Sequence, residues 1–244
     1  GVILITTKSG KEGRLSVSYN SNFTVDDVFL LPELQSEYQS PSVGQPILEN
    51  GRVANPKSWG EKANNLSNNA EDFFQTGSTF TNSVTISGGT KKAQTYFSFA
   101  NTIAEGTIPT NRMTRNNFNL RESISLFDDK LKITGNINLS DQRVWNKPTI
   151  GLYSNPLTGL YLHPVGIDRN QYKDFEYFND ATNMMDQYAS SFDENIQQNP
   201  YWLINRNLRK DVAQRVYSSI NISYDLTEDL SLKTRGNYDK SFFT

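Results

Sequence analysis

There is no cysteine in the 244 residues, and His163 is the only histidine. A disulfide framework and a thiolate metal site are both excluded. One histidine without cysteine support cannot anchor a usual zinc site, and a Ser-His-Asp relay would need all its partners from loops. No apolar run approaches the ~18 residues of a transmembrane helix. Mean hydropathy is −0.61 and net charge is −2. No basic cluster appears, so no nucleic-acid partner is expected. Carboxylates do occur in pairs, at Asp26-Asp27, Asp128-Asp129 and Glu228-Asp229. Adjacent acids at such places are turn formers rather than acid/base partners. The chain therefore reads as a non-enzyme, with no catalytic residue, no metal and no cofactor.

What is abundant is alternation. Leu15, Val17, Tyr19, Phe23 and Val25 alternate with Ser16, Ser18, Asn20, Asn22 and Thr24. The same period of two predicts strands over Arg14–Val25, Thr79–Ser87, Ala93–Ile103, Arg115–Phe127, Leu131–Asp141, Ala213–Leu226 and Leu230–Phe242. In the fifth, Leu131, Ile133, Ile137 and Leu139 oppose Lys132, Thr134, Asn136 and Asn138. Short helices are expected over Leu31–Tyr38 and Ser58–Leu66. The connections run long, short, medium, short, very long, short. All the tight ones fall on one side, as in an up-and-down outer-membrane barrel with short periplasmic turns and long outer loops. A Greek-key sandwich would not sort its loops so strictly. The Ser/Thr/Asn faces suit a watery lumen better than a dry core. Low mean hydropathy is compatible with this, because barrel strands alternate lipid-facing and lumen-facing residues.

Gly1-Val-Ile-Leu-Ile-Thr-Thr-Lys-Ser-Gly10 differs from the rest. Its unbroken aliphatic start reads as a strand buried on both faces, followed by a turn. The chain opens directly on this run, as expected of a piece cut from something longer. With Lys11-Glu-Gly-Arg-Leu-Ser-Val-Ser-Tyr-Asn20, the segment resembles the plug–barrel junction of the SusC/RagA family of TonB-linked outer-membrane transporters. Asp72-Phe-Phe-Gln-Thr-Gly77 leading into Asn82-Ser-Val-Thr-Ile-Ser-Gly-Gly-Thr90 is similar to that family's second barrel strand and turn. Glu105-Gly106 and Asn199-Pro-Tyr-Trp-Leu-Ile-Asn205 agree with later segments.

The resemblance implies an all-β fold. Residues 1–10 would end the plug. Residues 11–244 would form the first seven strands of a transmembrane barrel of roughly 22 strands, a size at which the lumen is plugged. Residues 26–78 and 142–212 would be extracellular loops. It also implies import of oligosaccharides or peptides across the outer membrane. The partners would be a SusD-like surface lipoprotein, the TonB complex (reached through a segment outside this chain) and outer-membrane lipid. A soluble carbohydrate-binding β-sandwich is the alternative.

The long connections are dense in aromatics, which stack on sugar C–H faces. Trp145, Tyr153, Tyr161, Tyr201 and Trp202, with Asp168 as a polar neighbour, are the candidate substrate-binding residues. The competing reading is that these rings pack the loop against itself. Asn-X-Ser/Thr triplets at Asn22, Asn65, Asn138 and Asn221 read as chance matches in an Asn/Ser-rich chain.

Overall fold

The computed structural model describes residues 10, 12–48, 50–53, 57, 59–64, 66, 70–188 and 198–244. The expected plug strand at Gly1–Ser9 lies outside the described residues. Strands β1 (Gly13–Asp26), β2 (Gly77–Gly89), β3 (Ala93–Glu105), β4 (Arg112–Leu126), β5 (Leu131–Trp145), β8 (Lys210–Asp225) and β9 (Ser231–Phe243) form one antiparallel sheet. Between β5 and β8 a hairpin, β6 (Glu176–Asn179) with β7 (Met184–Gln187), makes a separate two-stranded sheet. Helices α1 (Pro156–Tyr161) and α2 (Pro200–Arg206) and 3-10 turns at Ala70–Phe73 and Arg169–Lys173 complete the elements.

Strand order in the large sheet follows chain order, so among the described residues β1 and β9 are its two edges. Register is continuous from β2 to β9, with one shift in β1 between Gly13 and Ser16. One face therefore collects cross-strand apolar rows, such as Tyr19–Val84–Phe99–Phe118–Leu139–Val216. The other collects rows such as Ser18–Thr85–Ser98–Asn119–Asn138–Tyr217–Asp239. Period-two side chains on a pleated backbone leave no other outcome once the register holds.

Among the described residues no layer covers either face. On β1, Leu15, Val17, Tyr19, Phe23 and Val25 are 52–72% exposed. Exposed apolar patches of this extent are found at protein or membrane contact surfaces and at ligand grooves. Among the described residues no second large sheet packs on either side. Gly10 lies close over β3: a Cβ there would be 2.8 Å from the backbone N and O of Thr95, so no side chain fits at that crossing.

The antiparallel order puts the connections 90–92, 127–130 and 226–230 at one end of the sheet. Connections 27–76, 106–111 and 146–209 lie at the other. At that loop end is a hydrophobic core built from Ala70, Phe73, Leu160 and Ile204, with Leu31, Ile108, Leu157 and Tyr201 against it. All three connections at this end contribute to it. Thr110 Oγ1 donates to Ile204 O (2.9 Å), and Asn146 Nδ2 donates to Thr110 O (3.2 Å), joining neighbouring loops.

Three expectations are corrected. Residues 31–38 are not helical. The amides of Glu37 and Tyr38 donate to Gln35 Oε1 (3.0 and 2.9 Å), which diverts them from helical bonding. Nor are the described residues within 58–66 helical: Lys62 bridges Tyr38 in antiparallel fashion, and Ala63 N donates to Glu37 O. The longest connection is also shorter than expected. Arg143-Val144-Trp145 continue the β5 ladder against Arg112–Thr114 and Lys210–Val212, so Trp145 is a strand residue.

Candidate functional site

Two short helices organise the loop end, and both begin with Asn-Pro. Asn155 Oδ1 accepts from Leu157 N (3.0 Å), capping α1, and its Nδ2 donates to Gly151 O (2.8 Å). Asn199 does more. Its Oδ1 accepts from Tyr201 N (2.9 Å) and Trp202 N (3.4 Å), while Nδ2 donates to Tyr172 O (3.1 Å) and Tyr188 O (2.6 Å). The residue is fully buried. One amide thus caps α2 and ties it to the 3-10 turn at Arg169–Lys173 and to the end of the β6–β7 hairpin. Proline in the first helical turn lacks the N–H that would go unsatisfied there. Gly159 lets α1 approach the chain ahead of α2, because a Cβ there would collide with Gln198 O.

Beside them lies a buried polar group of Arg169, Tyr172 and His163. His163 Nε2 donates to Ile167 O (2.9 Å), and its ring meets Tyr172 edge-on at 4.5 Å. Among the described residues Nδ1 has no hydrogen-bond partner. Burial, and then the adjacent Arg169 charge, lower the imidazole pKa to about 4. The ring is therefore neutral near pH 7. Burial also raises the Tyr172 and Tyr161 hydroxyls above the usual phenol range.

The structure divides the sequence-derived candidates. Tyr161 and Tyr201 pack against the loop-end core, and Tyr201 meets Phe73 edge-on at 5.3 Å. Asp168 caps the 3-10 turn, its Oδ1 accepting from Asn170 N (2.9 Å). Packing occupies part of the surface of Tyr161 and Tyr201, whereas Asp168 is exposed and engaged through its cap. Trp202 is half-buried on α2, and Tyr153 is 62% exposed in the loop ahead of α1. Trp145 stands apart, on the same sheet face as Leu139, with Arg112 and Lys210 over its ring at 5.8 and 5.5 Å.

The polar sheet face carries a second candidate surface. A groove of about 580 Å³ is lined by Tyr96, Asn119, Arg121, Asn138, Tyr217 and Arg235, among others. Amides, phenols and guanidinium groups here can bind hydroxyl or carboxylate oxygens. No carboxylate is among the residues that line the groove. Arg121 and Arg235 escaped the sequence reading as ligand groups. The available signal was a cation at a polar-phase position within a strand. Among the described residues no group of three or more His, Asp or Glu side chains could hold a metal ion. Neither family models nor curated proteins match the chain.

Proposed function

We propose that the chain is the plug–barrel junction and first barrel strands of a TonB-dependent outer-membrane importer resembling the SusC/RagA family. Its cargo would be an oligosaccharide or peptide, received with a SusD-like lipoprotein at the loop end. The observation that carries this reading is the sheet itself: one face apolar, one face Ser/Asn-rich, and neither covered by a second layer of described residues. A soluble sandwich needs a second sheet over its apolar face. A barrel wall needs lipid on one side and water or a plug on the other. The segregation of long and short connections to opposite ends supports the same reading. So does the closeness of Gly10 to the backbone of Thr95 in β3. The loop-end core would then be a rigid extracellular platform, with Tyr153 and Trp202 as its most available rings. Ligand-binding duty shifts from Tyr201 and Asp168, which are engaged in packing and capping, toward those two and the polar groove.

The test is expression of residues 1–244 with and without detergent. Two unpaired edges and an uncovered apolar face predict aggregation unless detergent is present. A sharp monomeric peak in plain buffer with cooperative melting would reject the barrel in favour of the sandwich.

A further inference from the structure

The apolar sheet face is not apolar to its loop end. Above the Phe99–Phe118–Leu139–Val216 row comes a rung of Asn82, Asn101, Asn116, Asp141 and Gln214. It is bonded across strands: Asn101 Nδ2 donates to Asn116 Oδ1 (2.8 Å) and Gln214 Nε2 to Asp141 Oδ1 (2.6 Å). Beyond it, on the same face, stand Arg143 and then the direct cross-strand row Arg112–Trp145–Lys210. All three cations are exposed. Arg143 pairs with Asp141 (3.2 Å). Arg112 and Lys210 form no ion pair among the described residues, although Glu105 lies across from Arg112. Both cations instead hold against the Trp145 ring. Directly below the rung a groove of about 330 Å³ runs between Phe99, Phe118, Leu139, Val216 and Phe242.

We infer that this surface binds the phosphorylated head group of an outer-leaflet lipid. The inference rests on the barrel reading above, which turns this face toward the membrane. The groove would seat an acyl chain, the amide rung would meet the polar linkage, and Arg112, Arg143 and Lys210 would hold the phosphate. Guanidinium forks suit phosphate oxygens, and a cation fixed against an indole is already oriented for an anion. Trp145 is then an interfacial anchor, which accounts for its place outside the loop-end assembly.

The experiment uses the full-length transporter in nanodiscs, probed with a bisphosphorylated diglucosamine lipid and its dephosphorylated form, with retention read by native mass spectrometry. The phosphorylated lipid is expected to be retained about tenfold better, and Arg112→Gln/Lys210→Gln to abolish that preference. Lys91→Gln at the turn end should leave it unchanged. Should the double variant not insert, Lys210→Gln alone is expected to lower retention several-fold. Equal retention of the two lipids, indifference to these variants, or displacement by excess inorganic phosphate would overturn the lipid site. Heat-modifiable gel mobility, measured in parallel, reports the barrel. A barrel without lipid preference sinks this inference alone, and a protein that is soluble without detergent sinks the barrel reading as well.

Discussion

Replacing Ile137 with Arg probes the apolar face where its depth can be worked out. Ile137 shares a row with Ile86, Phe97, Leu120 and Tyr238. The polar rung at Asp141 is four residues further along β5. At ~3.3 Å per residue and a strand tilt of ~40°, Ile137 lies about 10 Å inside that rung, close to the middle of an apolar band about 25 Å tall. Arg at that depth should cost about 2–4 kcal/mol. Ile103, on the same face but beyond the rung, shares its row with Phe80 and Thr114. Arg there should cost about 0–1 kcal/mol. The assay is urea titration of the full-length protein in lipid bilayers, comparing Ile137→Arg with Ile103→Arg. Equal costs, or a neutral Ile137→Arg, would refute the assignment of this face to lipid.

The loop end supplies three further tests. Folding lowers the His163 pKa from 6.5 to about 4. The neutral-His contribution is therefore complete above pH 6.5 and is lost as pH falls toward 4, by up to about 3 kcal/mol; hydrogen exchange at α1 and the 3-10 turn should accelerate across that window, and His163→Phe should flatten the response. Asn199→Ala removes a cap and leaves two buried carbonyls unmet, so it should cost about 2–4 kcal/mol, read as faster proteolysis of the loop at unchanged sheet content. Tyr153→Ala should reduce ligand uptake with loop stability unchanged, whereas Tyr201→Ala should lower loop stability by about 1 kcal/mol or more through the lost Phe73 contact; the reverse pattern would restore Tyr201 as the ligand-facing ring.

The strands were legible because each repeats one local rule. Leu131, Ile133, Ile137 and Leu139 keep one phase on either side of Gly135, so the face of β5 follows from the residues alone, although the ladder sets Ile137 beside Ser218. The loop end was less legible because its structure is set by single side chains acting at long range. Gln35 diverts two amides, and Tyr38 pairs with Lys62, which no local propensity announces. The helices at Pro156 and Pro200 did carry a readable signal, an Asn cap followed by Pro. The density of prolines and aromatics around them pointed instead to an irregular loop. The apolar alternation of β5 ends at Leu139, so by sequence alone Trp145 falls in that loop. Further rungs bring it onto the apolar face between two cations.

Sidedness tests the central claim most directly, and the absence of cysteine from these residues makes it clean. Asp180, in the β6–β7 turn at the loop end, and Asp129, in the β4–β5 turn at the opposite end, are both exposed. Each is replaced singly by Cys in the full-length protein, and intact cells are treated with a membrane-impermeant maleimide. Labelling of Asp180→Cys in intact cells, and of Asp129→Cys only after the envelope is opened, is the predicted result. Labelling of Asp129→Cys in intact cells with Asp180→Cys protected would contradict the account.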